Sequence, residues 1–182
     1  MLFRSRALAI RERAFGSEHH DTAASLNSLA TILKAQGDLA AARALYEQAL
    51  AILERVRGIE HPETATSLNN LANLLRDEGD LPAARTLYER ALRALEKIRG
   101  PAHPDTNRVR SNFAQLHLAQ HQSTEALFAG RAALAALENA LGRDHSWTRD
   151  SARVTAAALA ALGRADEAAA LREKYGIERQ AE

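Results

Sequence analysis

The stretch "GIEHPETATSLNNLANLLRDEGDLPAARTLYERAL" runs from Gly58 to Leu92. Its residues spell two helices and the turn between them. Pro62 suits a first helical turn, where the missing N–H has no partner to lose, and Glu63 suits the positive end of the helix dipole. Leu68, Leu71, Ala72 and Leu75 then recur at helical spacing. Gly79 closes the pattern, since glycine tolerates the left-handed conformation found just past many helix ends. Beyond it, Leu81, Ala84, Leu87, Tyr88, Ala91, Leu92, Leu95 and Ile98 trace a second helical stripe that stops at Gly100. The spacing predicts helix A from about Pro62 to Asp77 and helix B from about Leu81 to Ile98. Each is roughly 25 Å long at about 1.5 Å per residue.

The same signals recur along the chain. "GSEHHDT" starts at Gly16, "GIEHPET" at Gly58, "GPAHPDT" at Gly100 and "GRDHSWT" at Gly142, always 42 residues apart. His19, His61, His103 and His145 are therefore equivalent, as are Thr22, Thr64, Thr106 and Thr148. A second mark keeps the register: "GDLAAARALYEQAL" begins at Gly37 and "GDLPAARTLYERAL" at Gly79, with a worn copy at Gly163 and His121 in place of the glycine in the third unit. Two signals in one register mark a repeat array. The expected organisation is a single array over residues 1–182. Residues 1–15 form a partial helix B of a preceding unit, 16–57, 58–99 and 100–141 are full units, and 142–182 is a degenerate terminal unit. We expect eight helical stretches, the partial one included, with a last helix B at Ala165–Tyr175. Ala30, Ala72, Ala114 and Ala156 put one small residue at the same point of every unit, where two helix axes can approach closely. A single helix pair cannot bury its own apolar face, whereas stacked pairs can.

Composition agrees with an all-α chain. Ala and Leu dominate, only 4% of residues are aromatic, and there are four Pro and nine Gly. The formal net charge of +1 gives little reason to propose nucleic acid or an acidic membrane as the ligand. There is no cysteine, so thiol chemistry is excluded. No apolar run approaches the roughly 18 residues of a membrane span. We expect no membrane partner, no nucleic-acid partner and a cytoplasmic location.

The run "TATSLNNLANLLRDEGDLPAARTLYERALRALEKIRGPAHPDT" (Thr64–Thr106) resembles the tetratricopeptide repeat, and its 42-residue length is similar to the kinesin light chain type. The likeness covers essentially the whole chain and weakens towards the unit at His145. It departs from the family where Leu33, Leu75, Leu159 and His117 replace the usual helix A aromatics. The resemblance implies an all-α, right-handed α-solenoid of helix-turn-helix repeats, with A helices lining a concave groove for a peptide or protein segment.

The first residues, "MLFRSRALAIRERAF", mimic an Arg-rich targeting peptide. But "RALAI" at 6–10 aligns with "QALAI" at 48–52, so we read them as helix B of a preceding unit. That half unit leaves Leu2, Phe3, Leu8 and Ile10 uncovered, which makes homo-oligomerisation through this end an alternative function. A sensor or adaptor arm of a larger signalling protein is another, by analogy alone.

Catalytic constellations are missing. There is no Gly-rich phosphate loop, no His-Glu-x-x-His and no nucleophile elbow. Asp144, His145 and Ser146 have the residue types of a triad but stand adjacent at a helix start, where they cannot converge around a substrate. We expect no enzyme activity and no cofactor. The histidine ladder is not a metal site, because successive units stack roughly 10 Å apart and a metal needs ligands about 2 Å away. Each histidine instead organises a turn and the next helix start, and the His19–His20 pair holds at most an adventitious surface metal.

The candidate site is the polar stripe of the A helices. It comprises Asn27, Thr31 and Lys34 in the first full unit, Thr66, Asn69, Asn70, Asn73 and Arg76 in the second, and Arg108, Ser111, Asn112 and Gln115 in the third. Asparagine is a mediocre helix former, so three within five residues exceed what a merely wet face needs. An amide both donates and accepts, which suits an extended peptide backbone. Lys34, Arg76 and Arg108 favour an acidic partner. In the family that this chain resembles, asparagines and basic residues at such positions line the peptide groove. The likeness is best at Asn69 and Asn70.

Overall fold

The computed structural model describes residues 18–178. The expectations for the N-terminal half unit, including Leu2, Phe3, Leu8 and Ile10, lie outside the described residues. The chain divides between Ile98 and Arg99 into two compact units. The described part of the first holds α1 (His20–Ala35), α2 (Leu39–Val56), α3 (Pro62–Glu78) and all but the last residue of α4 (Leu81–Arg99). The second holds α5 (Pro104–Ala119), α6 (Ser123–Leu141), α7 (Ser146–Ala161) and α8 (Ala165–Tyr175). No strand occurs among the described residues. Four complete A–B pairs account for all eight described helices. The expected eight reserved one for the partial unit, so that count was one short among the described residues. The boundaries of α3 and α4 lie within one residue of the expected ones.

The repeated histidine is the N-cap of every A helix. Its Nδ1 accepts the backbone N–H two residues on, at 3.2 Å from Asp21, 3.2 Å from Glu63, 3.1 Å from Asp105 and 3.2 Å from Trp147. Such a bond satisfies one of the donors left over at a helix start. The repeated threonine secures the same joint. Thr64 Oγ1 donates to the Gly58 carbonyl at 2.8 Å, and Thr106 Oγ1 to the Gly100 carbonyl at 2.9 Å. The last unit lacks this bond: the Thr148 hydroxyl is buried without a partner.

Each A helix ends in one pattern. At α3, Gly79 takes φ +87°, and Asp80 N–H reaches back to the Leu75 carbonyl at 2.9 Å. The third unit makes the equivalent bond, Gln122 N–H to the His117 carbonyl at 2.8 Å, with His121 at φ +58°. A residue with a Cβ is disfavoured there, so the missing glycine leaves local strain.

In the first unit α1 packs on α2, and α3 on both. Ala23 and Leu26 of α1 meet Ala49, Ile52 and Leu53 of α2 in one apolar cluster. In the second unit α7 packs on α5, α6 and α8. Ala126 and Leu127 meet Ala158, Leu159 and Ala168 there. The four repeated alanines are all buried. Gly130 of α6 adds a close approach of its own, since a Cβ at that position would stand 2.7 Å from Thr155 Oγ1 of α7.

Two predictions test this account. Ala72→Leu should destabilise the chain by about 1–3 kcal/mol through overpacking, measured by chemical denaturation. A midpoint equal to the parent's would show spare room at Ala72. His121→Gly should stabilise by about 0.5–1 kcal/mol, because removing the Cβ relieves the left-handed residue and the gain exceeds glycine's entropic cost. An unchanged or lowered midpoint would show that His121 carries no strain.

Candidate functional site: the cleft between α1 and α3

The exposed arc of α3 is narrow. Thr66, Asn70, Asn73 and Arg76 keep partial exposure, whereas Ser67, Leu68, Asn69, Leu71, Ala72, Leu74 and Leu75 are buried. Between this arc and α1 lies a cleft of about 330 Å³, with Ala24, Asn27, Ser28 and Thr31 on one wall and Thr66 and Asn70 on the other. His20 and Glu63 stand at the end where both helices start. The volume is at the lower end of ligand sites, and a few polar groups stand on a largely apolar lining, as is usual for them.

Most of these polar groups already have intramolecular partners. Ser67 Oγ donates to Asn27 Oδ1 at 3.2 Å, joining α3 to α1. Thr31 Oγ1 lies 2.9 Å from the Tyr46 hydroxyl, and the Tyr88 hydroxyl donates to Asn73 Oδ1 at 2.6 Å. Burial raises the pKa of both tyrosines, so they keep their protons as donors throughout the neutral range. Thr66 Oγ1 donates to the Pro62 carbonyl at 3.1 Å. The Asn70 side-chain amide lines the cleft and makes no hydrogen bond among the described residues.

The expected site residues are therefore sorted by the structure. Asn27, Thr31, Thr66 and Asn70 meet at the cleft. Asn69, only 1% exposed, is withdrawn from it, because α1 and α2 pack on α3 and leave only a thin free stripe. Ser111, 3% exposed, is withdrawn in the same way. Asn112 and Gln115 are half-buried and already engaged.

The cations need a further correction. Lys34 Nζ lies 2.6 Å from Asp77 Oδ2, and Arg76 donates to Asp77 Oδ1 at 2.8 and 3.1 Å. Both positive groups expected to await a partner's carboxylate already share Asp77. Partial burial alone would raise the Asp77 pKa, but the hydrogen bonds from Lys34 and Arg76 outweigh it and hold the carboxyl below its ordinary value. Sequence reading missed Asp77 because it treated the stripe as a set of cations, although the adjacent acid stands in plain view after Arg76.

The second unit fills the corresponding space. Two repeat lengths on from Ala24 and Glu63 stand Arg108 and Trp147. The Arg108 guanidinium stacks 4.7 Å above the Trp147 ring. Desolvation lowers its pKa, and its Nε is buried without a hydrogen-bond partner. A larger hollow of about 460 Å³ lies elsewhere, among α6, α7 and α8, with Leu134, Leu159, Leu171 and Tyr175 among its apolar lining. Ion pairs of 3.1 Å, Arg131–Glu167 and Lys174–Glu138, cross between α6 and α8 at that hollow. Its lining offers no row of amides, and sequence reading did not anticipate it.

Paired helices in 42-residue register, capped by histidine and stacked through small residues, define a helix-turn-helix repeat protein. The family model for the tetratricopeptide repeat matches residues 3–55, 21–97 and 63–139, and the chain belongs to that family. Solved structures agree. A kinesin light chain with nearly identical TPR-like repeats from Podosopora anserina is 27% identical with a TM-score of 0.72, over 95% of this chain and 82% of that one. A point variant of that protein gives 27% identity and a TM-score of 0.75 over the same shares. BtubC (BKLC) from P. vanneervenii, at 21% identity and a TM-score of 0.78, shares the fold over 98% of this chain and 74% of that one. No curated protein matches the sequence. No described helix is long and apolar enough to cross a membrane.

The Asp77 cluster yields a prediction. A carboxyl with a depressed folded pKa contributes stability that is present above its unfolded pKa and lost as pH falls through the folded value. Asp77→Asn should therefore flatten the acid limb of the stability–pH curve below the ordinary carboxylate range. Identical acid limbs in variant and parent would show that Lys34 and Arg76 do not bind Asp77 in solution.

Proposed function

We propose that the α1–α3 cleft binds an extended peptide or protein segment, and that the chain is a non-enzymatic binding scaffold. Tetratricopeptide-repeat proteins generally serve as protein–protein interaction scaffolds, so the coarse function follows from family membership. The finer reading rests on one observation. Asn70 presents both an amide N–H2 and a carbonyl to the cleft, while Thr31, Thr66 and the Asn27 carbonyl beside it are engaged within the chain. An amide with both functions unused can pair with the N–H and the C=O of one extended residue. Thr31 and Asn73, held by Tyr46 and Tyr88, brace the walls against collapse.

This reading makes the partner's backbone, not its charge, the main recognition element. A carboxylate on the partner must compete with Asp77 for Lys34 and Arg76. The acidic preference expected of the stripe is correspondingly reduced.

The test uses peptides selected from a random library against the wild-type chain. Asn70→Ala should leave helicity intact, since alanine is the best helix former. It should weaken binding by about 1–2 kcal/mol, or roughly 5–30-fold in Kd, for two lost hydrogen bonds. The control is Glu89→Ala with Arg93→Ala on exposed positions of α4, which should leave Kd unchanged. If the control abolishes binding and Asn70→Ala does not, the partner sits on α4 and the cleft assignment fails.

A further inference from the structure

Against the sequence expectation that the His19–His20 pair holds at most an adventitious metal, we propose that His19, His20 and Asp21 form a site for one divalent transition metal of the zinc class at the start of α1. The inference stands on these side chains alone and is independent of peptide binding in the cleft.

The repeats supply an internal comparison. Every A helix is capped by a histidine whose Nδ1 accepts an N–H. In the second and third full units the next residue is proline, Pro62 or Pro104, and in the last it is Ser146. The first full unit alone carries a second imidazole there, His20, followed by the Asp21 carboxylate. Proline is the better first-turn residue. Capping and helix formation therefore do not account for His20.

The geometry is close to that of a coordination sphere. One donor atom from each of the three side chains lies within 4.8 Å of the other two. His19 Nδ1 is 3.6 Å from Asp21 Oδ2, and His20 Nε2 is 3.8 Å from Asp21 Oδ1. The two rings lie 4.2 Å apart, centroid to centroid. Zinc bonds of about 2.0–2.2 Å place tetrahedral ligands roughly 3.3–3.5 Å apart, so side-chain movements from separations of at most 4.8 Å bring the three donors around an ion. All three residues are half-buried, with side-chain exposures of 33%, 32% and 43%, so an ion reaches them without unfolding the helix. Two imidazoles with a carboxylate suit zinc, nickel or copper rather than magnesium or calcium.

Existing contacts of these side chains and the field of the helix oppose the ion. The Nδ1 lone pair of His19 now caps the Asp21 N–H, and coordination takes that bond away. The helix start also carries partial positive charge, which the Asp21 carboxylate offsets. His61 with Glu63 and His103 with Asp105 have the same cap and a nearby acid, at 3.9 and 3.7 Å, but no second imidazole. They serve as built-in controls. Three protein ligands leave a fourth position open, as in metal sites that take water or an added donor. His20 also lines the α1–α3 cleft, which puts the ion at the end of that cleft where the helices start.

The experiment titrates Co²⁺ into the full chain, read by visible absorption, and Zn²⁺, read by calorimetry and thermal melting. His20→Pro gives the first unit the residue of the second and third, and His19→Asn keeps a good cap while removing an imidazole. The parent should bind one equivalent and melt higher with zinc. Removing outer partners of a metal site already costs roughly 10–100-fold in affinity, so His20→Pro and His19→Asn should each cost at least as much. His61→Asn should change nothing. If His20→Pro alters the metal-free melt, His20→Asn replaces it. Parent affinity equal to that of the His20 variant, or equal loss in His61→Asn, would leave only adventitious binding by surface histidines and overturn the proposal.

Discussion

A histidine nitrogen accepting a backbone N–H sets where each A helix of this protein begins. The bond is modest by itself, since a cap contributes about 1 kcal/mol, but it recurs at His19, His61, His103 and His145. At Gly58 and Gly100 a threonine hydroxyl ties the following helix to the turn as well. Because the cap position is shared, residues at one offset from the histidine meet the same surroundings in each unit. Offset eleven is the buried alanine, and offset nine from His61 is Asn70 on the cleft wall. A slip of one residue at the joint would turn every side chain on the helix by about 100° and exchange core for surface.

That common frame makes the differences between units informative. Where the first unit places Tyr46 and Tyr88 to hold A-helix side chains, the second places Gly130, and α6 and α7 close directly on each other. Ser151 Oγ donates to the Gly130 carbonyl at 3.2 Å, and Thr155 fills the space that a Cβ would take. Where the first unit leaves the cleft wall small at Ala24, the second brings Arg108 over Trp147. One repeat pattern thus supports an open, amide-lined cleft in one unit and a filled one in the other.

Much of the fold was legible because its signals are local and recur. The capping histidine and the alanine at one offset recur in all four units, the glycine after the A helix in three and the proline after the histidine in two, and this shared register separates them from chance. The site was less legible because its residues are decided by neighbours. Asn69 and Asn70 are adjacent and chemically identical, yet one is buried and the other faces the cleft. A polar stripe drawn at 100° per residue cannot divide them, since the width of the free arc depends on how α1 and α2 cover α3. Likewise Lys34 and Arg76 look like free cations until Asp77 is seen to reach both. The hollow at α6, α7 and α8 arises from three helices that no linear pattern relates, which is why no single stretch announced it.

The Lys34–Asp77–Arg76 cluster also bears on how fast a partner can arrive. One anion set against two cations leaves a weak local field, and the whole chain carries a formal charge of only +1. Long-range attraction, which lifts encounter rates towards 10⁸–10⁹ M⁻¹s⁻¹ in strongly complementary pairs, has little to act on here. Association at such a surface falls near the unsteered range of about 10⁵–10⁶ M⁻¹s⁻¹ and varies little with ionic strength. In the binding mode proposed above, selectivity among partners then resides in residence time: a segment that fits the cleft is distinguished after it lands, by how slowly it leaves.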